Sequence, residues 1–244
     1  MMTILRINTA LAWEVQTTEG GAEYHWADMP LDYVWVPDGA PDLEELQRAI
    51  DGAFTTWSEV PSAHISVEPV ETDATGEVAL DEDHVVFFQP DWPLGNEALA
   101  IATTWADEEG RVVSFDIRIN GRSPWTTTGD GARFDLRAAV THEVGHVLGL
   151  EHSAVGDATM FAAHDVGEDW RAVLHDDDEE GVQYLYSEAS LSSNDKVGLG
   201  CAIAPTSTSG GSTGSGPGSA AWLLVGCIPL TLLRRRQRPG SRAC

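Results

Sequence analysis

The sequence predicts one α+β domain followed by a tail of a different kind. Three observations predict it. Hydrophobic residues make up 42% of 244, and nine residues are tryptophan, which suits a chain with a sizeable core. Apolar residues recur at helical spacing in three stretches, and five others are short and rich in β-branched or aromatic residues. The elements follow in the order β-α-β-β-β-β-α-loop-α, with no internal repeat.

The first strand is "DYVWV" (32–36). A helix follows in "PDLEELQRAIDGAFTTWSEVP" (41–61), where Leu43, Leu46, Ile50, Ala53, Phe54 and Trp57 share one face, Asp42 is the expected N-cap and Pro61 lies beyond the end. "HISVEPV" (64–70) is the next strand, and "DHVVFFQ" (83–89) reads as a buried one. "ALAIATTW" (98–105) and "RVVSFDIRIN" (111–120) are two more, joined by a turn at "DEEG" (107–110). The second helix is "FDLRAAVTHEVGHVLG" (134–149), capped by Asp135, with Leu136, Val140, Val144 and Val147 as its apolar stripe. A third helix is expected over Asp176–Tyr186, with Val182, Leu185 and Tyr186 facing inward.

The formal net charge is −25. Six basic and two acidic residues fall after Tyr186, so residues 1–186 carry a net of −29. Phosphate binding needs clustered Lys and Arg, so nucleic acid is excluded as a partner. A solvated acidic surface is the plain reading. Calcium binding is the sharper one, with "DDDEE" (176–180) its candidate. The cysteines, Cys201, Cys227 and Cys244, all lie in the tail, so the domain is expected to fold without a disulfide.

The tail opens with a Ser/Gly linker, "TSTSGGSTGSGPGS" (206–219). An apolar run (220–233) and "RRRQR" (234–238) follow. Fourteen helical residues span roughly 21 Å, short of a hydrocarbon core of about 30 Å. The run is either a marginal anchor or a sorting signal, and in both cases the arginines are expected to stay cytoplasmic with the domain on the other side. "MMTILRINTALAW" lacks an apolar run of seven, so an export signal is expected upstream.

The stretch that carries chemistry is "VTHEVGHVLGLEHS" (140–153). His142 and His146 are four apart, which puts both rings on one helix face. Gly149 can end the helix in a left-handed conformation and turn the chain back, bringing His152 to the same ion. Three neutral imidazoles leave one tetrahedral position of zinc open, the mark of a catalytic site. Glu143 stands beside the metal, in reach of a water but outside the ligand set, as a general base and then acid. His25, His64, His84, His164 and His175 are scattered and are expected to be surface or hydrogen-bonded residues.

HExxHxxGxxH resembles the signature of the metzincin metalloproteases, and Ser153 after the third histidine resembles their matrixin branch. The resemblance implies a matrixin-like fold with a twisted, mostly parallel sheet, two long helices and a small C-terminal subdomain ending in a helix. It implies that Met160, in "DATMFAA", forms the turn beneath the zinc. It implies that Asp177 and Asp178, in "LHDDDEEGVQYLY", support that turn from the C-terminal helix. It also implies that "ALAIATTW" is an edge strand above the cleft, pairing with substrate. Ala162 and His164 take the places of the Pro and Tyr that wall the pocket for the residue after the scissile bond. Histidines for a structural zinc have no match, so one zinc is expected. The tail resembles C-terminal surface-sorting signals of myxobacterial proteins, with Cys201 in "GLGCA" as the processed residue.

These expectations divide the chain into a lead segment (1–29), a peptidase domain (30–187), a linker (188–219) and an apolar, Arg-rich tail (220–244). The function expected is a zinc-dependent endopeptidase acting on extended protein substrates, exported, and membrane-associated through its tail before processing. A surface-displayed zinc-containing binding module without turnover is the alternative, and a metallohydrolase acting on a non-peptide bond is a third reading.

Overall fold

The computed structural model describes residues 12–37, 43–95, 98–188 and 190. The expected cap Asp42, the Cys201 motif, the Ser/Gly linker and the apolar and arginine-rich segments lie outside the described residues. Among the described residues no helix is long and apolar enough to cross a membrane.

The elements are β1 (Leu31–Val36), α1 (Leu43–Ser58), β2 (Val67–Pro69), β3 (Val85–Gln89), β4 (Ala100–Ala106), β5 (Val112–Asn120), β6 (Trp125–Thr126), β7 (Phe134–Asp135), α2 (Leu136–Val147) and α3 (Asp176–Tyr186). A 3-10 turn covers Asp169–Ala172. Five strands form one sheet in the order β2-β1-β3-β5-β4. All pair in parallel except β4, which runs antiparallel to β5 and forms one edge. This is the α+β arrangement expected, a mostly parallel sheet with two long helices and a helix-terminated C-terminal piece.

Both faces of the sheet are covered, which explains why "VVFFQ" shows no alternation of apolar and polar residues. Val86 and Phe88 of β3 join Phe115, Ile117 and Ile119 of β5 in the main core. Val85 and Phe87 point the other way and pack with Val34, Val36, Val70 and Ala74. The stripe of α1 is buried as its spacing requires, at Leu46, Ile50, Ala53, Phe54 and Trp57. Phe54 stacks on Tyr33 of β1 with ring centroids 3.8 Å apart, and the Trp57 indole donates to the Thr141 carbonyl of α2 at 2.8 Å. These contacts fix α2 against α1 on one face of the sheet.

Some bounds differ from the expected ones for physical reasons. β2 shrinks to three residues and is an edge strand, where Pro69, lacking an N–H, is tolerated. β6 and β7 pair in parallel over two residues each, too short for any periodic signal. The stripe expected on α2 is present, but every residue of that helix except Arg137 is buried, so it is central rather than amphipathic.

Residues far apart in the chain, Trp26 and Tyr186, meet at the C-terminus of α2. The Tyr186 hydroxyl, buried at the end of α3, donates to the Leu148 carbonyl at 2.8 Å and accepts from the Trp26 N–H at 3.1 Å. Tyr186→Phe leaves both backbone groups unpaired in the core, which is expected to cost about 1–3 kcal/mol. Urea unfolding reads this as a lower midpoint at unchanged slope, and a wild-type midpoint would contradict it.

Candidate active site

The site begins with the cap on α2. The Asp135 side chain accepts from the Ala138 N–H at 2.9 Å and starts the helix. One turn separates His142 from His146, and their ring centroids lie 4.8 Å apart. After the helix, Gly149 adopts φ +99°, and a Cβ there would collide with the Tyr24 carbonyl. Only glycine fits both demands. The turn carries His152 back, with its ring 5.3 Å from His142 and 5.0 Å from His146. One ligating nitrogen from each ring lies within 4.8 Å of the others. Among the described residues no other group of three or more potential ligands converges in this way.

Backbone carbonyls set the tautomers. His142 Nδ1 lies 2.7 Å from the Thr159 carbonyl oxygen, and His146 Nδ1 lies 2.8 Å from that of Leu150. A carbonyl only accepts, so each Nδ1 donates and each Nε2 keeps its lone pair. The two Nε2 atoms face each other at 3.1 Å, where neither can donate to the other. His152 Nε2 is enclosed and has no hydrogen-bond partner. Burial pushes His142 well below the ordinary histidine range and His146 down to about 4, and it also lowers His152. Two buried imidazoles with converging lone pairs, and a third half-buried beside them, are a donor set that fits zinc.

Glu143 is buried beside them. Its Oε2 accepts from the Ala102 N–H at 2.7 Å, on the open edge of β4. Burial pushes its carboxyl up to about 8, and a dication next to it would favour the ionised form. A cleft of about 220 Å³ opens here, lined by Ala98–Ala100, Ala139, His142, Glu143 and residues 162–164. A larger cavity of about 360 Å³ lies between Leu46, Phe88 and Trp125. It contains none of the three histidines, so ligating chemistry rather than volume selects the smaller cleft.

Met160 is buried under α2. A Cβ at Gly145 would collide with the Met160 sulfur and with Trp57, so this glycine inside "HEVGH" is what lets the helix close on them. The Asp178 carboxylate, itself buried, accepts from the N–H groups of Thr159 (2.8 Å), Met160 (3.0 Å) and His175 (2.9 Å). Asp177 accepts from the Ser153 hydroxyl at 2.6 Å. The "DDDEE" run considered for calcium is thus the first turn of α3, where carboxylates are favoured by the helix dipole and two of them tie down the 153–160 loop.

Several residues at the site carry no local sequence signal. Gln16, in the stretch assigned to a lead segment, donates from its side-chain amide to the carbonyls of His146 (3.1 Å) and Leu150 (3.0 Å). Arg171 is buried, lies over the Trp170 ring at 4.4 Å, pairs with Glu168 at 2.7 Å and donates to the carbonyls of Ala158 and Gly156. Four of the scattered histidines have partners as expected: His25 with the Glu23 carbonyl, His84 with Asp32, His64 with Glu188, and His175 as the cap of α3. His164 departs from that expectation. It lines the cleft with its ring 6.0 Å from His142, its Nε2 is enclosed without a partner, and burial holds it at about 4.

Comparison with known proteins agrees with this geometry. The profile of the matrixin family matches residues 25–187. The chain is 28% identical over 213 residues to metalloendoproteinase 2-MMP of Arabidopsis thaliana, covering 83% of this chain and 51% of that protein. It is 31% identical over 166 residues to metalloendoproteinase 5-MMP of the same plant, covering 64% and 43%. It is 32% identical over 151 residues to neutrophil collagenase of Homo sapiens, covering 62% and 30%. The chain thus spans about half or less of the length of these relatives.

Asp178 reaches the ligands through Thr159, whose N–H it holds and whose carbonyl orients His142. Asp178→Ala is therefore expected to weaken zinc binding about 10–100-fold, the usual effect of losing a group that orients a ligand. Competition against a chromophoric chelator measures it, and wild-type affinity in the variant would contradict the linkage.

Proposed function

The chain belongs to the matrixin family, and from that premise we propose that it is a zinc-dependent endopeptidase cutting extended protein substrates. The observation that carries the reading is the buried Glu143 carboxylate, set between three converging imidazoles and the open edge of β4.

His142, His146 and His152 are the residues that would hold the ion. When bound, zinc supplies Lewis acidity toward a carbonyl oxygen and makes a neighbouring water more acidic. The chain's own residues do the rest. Glu143 takes the proton of the attacking water and delivers it to the leaving amine. The Ala102 N–H fixes the orientation of that carboxylate. The outer edge of β4 offers backbone groups to an extended peptide, which makes binding tolerant of sequence, and side-chain preference then falls to the cleft by residues 162–164. Met160, with Asp177 and Asp178 behind it, supports the floor.

A module that merely displayed zinc would gain nothing from a carboxylate desolvated beside its ligands, which favours turnover over binding alone. For the rest of the chain we adopt the division into a lead segment (1–29), the peptidase domain (30–187), the linker (188–219) and the tail (220–244). The domain is exported, and Cys201 directs surface sorting of the myxobacterial kind. The "GLGCA" motif, the Ser/Gly linker, the apolar run and the arginines support this.

Glu143→Ala keeps three imidazoles and so is expected to retain about one zinc per chain while cleavage falls by at least about 10²–10⁴-fold. His146→Ala removes a ligand and is expected to lose zinc and cleavage together. Elemental analysis beside a casein-cleavage assay separates them, and wild-type cleavage by Glu143→Ala would sink the peptidase assignment. Cys201→Ala is expected to release the protein to the medium or leave it unprocessed. Unchanged mature mass and surface retention would refute the sorting role.

A further inference from the structure

We propose that Gln16 is a positioning residue of the metal site, holding from outside both the carbonyl that orients His146 and the turn that carries His152. The inference rests on the reading of the three histidines as zinc ligands and not on turnover. Gln16 precedes residues 25–187, over which the matrixin profile matches.

The side chain acts on two oxygens. Its Nε2 lies 3.1 Å from the His146 carbonyl oxygen and 3.0 Å from that of Leu150. Carbonyls only accept, and an amide nitrogen carries two protons, so the nitrogen end faces them and both protons are matched. The Leu150 oxygen is also the one that takes the His146 Nδ1 proton, at 2.8 Å. It accepts from two directions at once, and both fix its place relative to the imidazole. Nε2 comes within 3.4 Å of His146 Nδ1, so the amide packs against the ligand ring itself.

The backbone of the same stretch pins the turn between the second and third histidines. The Gln16 N–H donates to the Gly149 carbonyl at 2.7 Å. The Glu151 N–H donates to the Glu14 carbonyl at 2.9 Å, and the Ala154 N–H to that of Ala12 at 3.3 Å. Val15 pairs antiparallel with Leu150 among them. Residues 12–16 thus form a strap along 149–154, the segment that brings His152 back toward His146. The strap is seated on α3 in turn. The Trp13 ring lies 5.0 Å from that of Tyr184, and a Cβ at Gly181 would press on both Trp13 and Leu150. Groups that orient a metal ligand commonly govern affinity, and Gln16 serves the partner of one ligand and the approach of another.

Two variants of the full chain test this. Gln16→Met keeps the length of the side chain and removes both donors, and Gln16→Ala removes donors and volume together. Zinc affinity is read by competition with a chromophoric chelator, and site geometry by the visible absorption of the cobalt(II)-loaded protein. Both variants are expected to bind zinc about 10–100-fold more weakly than wild type and to shift the cobalt bands. Urea unfolding of the metal-free proteins is expected to show each variant folded. Wild-type zinc affinity and cobalt bands in both variants, whatever their unfolding midpoints, overturn the inference, because a merely structural residue leaves the metal unchanged. A loss confined to Gln16→Ala shows a side chain that only fills space and overturns it too. Either result leaves the zinc reading standing. Wild type that takes up no zinc overturns the ligand assignment and this inference with it.

Discussion

Two backbone carbonyls, those of Thr159 and Leu150, decide what the histidine cluster can be. Each takes the Nδ1 proton of one imidazole and so leaves the opposite nitrogen as a lone pair. Without them, two buried rings 4.8 Å apart could bond to each other or turn outward. With them, both lone pairs are committed to one small volume, and burial keeps the rings uncharged. Much of the surrounding structure serves to hold those two oxygens still.

The two carbonyls reach their places by different routes. Leu150 follows the left-handed Gly149, so a local turn positions it, and its N–H also bonds back to the Gly145 carbonyl at 2.9 Å. Thr159 lies in the loop after the third histidine and needs distant support. Its N–H is held by Asp178, its hydroxyl donates to the Arg171 carbonyl at 3.0 Å, and the chain just before it is held by the Arg171 guanidinium. The end of α2, whose last carbonyls have no partner within the helix, is completed from outside. Gln16 bonds the His146 carbonyl, the Trp26 indole bonds that of Val147 at 2.9 Å, and Tyr186 bonds that of Leu148. The stretch before β1 and the end of α3 therefore meet where the three histidines sit. A site carried on a buried helix and braced on every side keeps its geometry better than one carried on loops alone.

What could be read from the sequence follows from range. His142, Glu143, His146, Gly149 and His152 fall within eleven residues, and helix geometry with one glycine turn is enough to bring them together. The stripe of α1, the buried run of β3 and the bounds of α3 are equally local. Met160, Asp177 and Asp178 were reachable only through family likeness, because their partners lie across a loop. Gln16 acts on carbonyls 130 and 134 residues away, and no spacing rule relates such positions. Arg171 reads as an ordinary surface cation, since burial of an arginine depends on carbonyls that the sequence does not show. Gly145 looks like a weak point in a helix until Met160 and Trp57 are seen beneath it. His164 was legible as a pocket position but not as an unpartnered one, because the absence of a partner is a property of the folded surroundings.

The central claim is that two backbone carbonyls hold the imidazoles of His142 and His146 with their Nε2 atoms ready, beside that of His152, for one ion. A crystal structure of the zinc-loaded protein, with anomalous data at the zinc edge, tests it most directly. The account predicts one strong anomalous peak bonded to Nε2 of His142, His146 and His152, with the Nδ1 bonds to Thr159 and Leu150 intact and Glu143 outside the ligand set. A peak ligated through Nδ1, or a Glu143 oxygen in place of one of the three imidazoles, would contradict it.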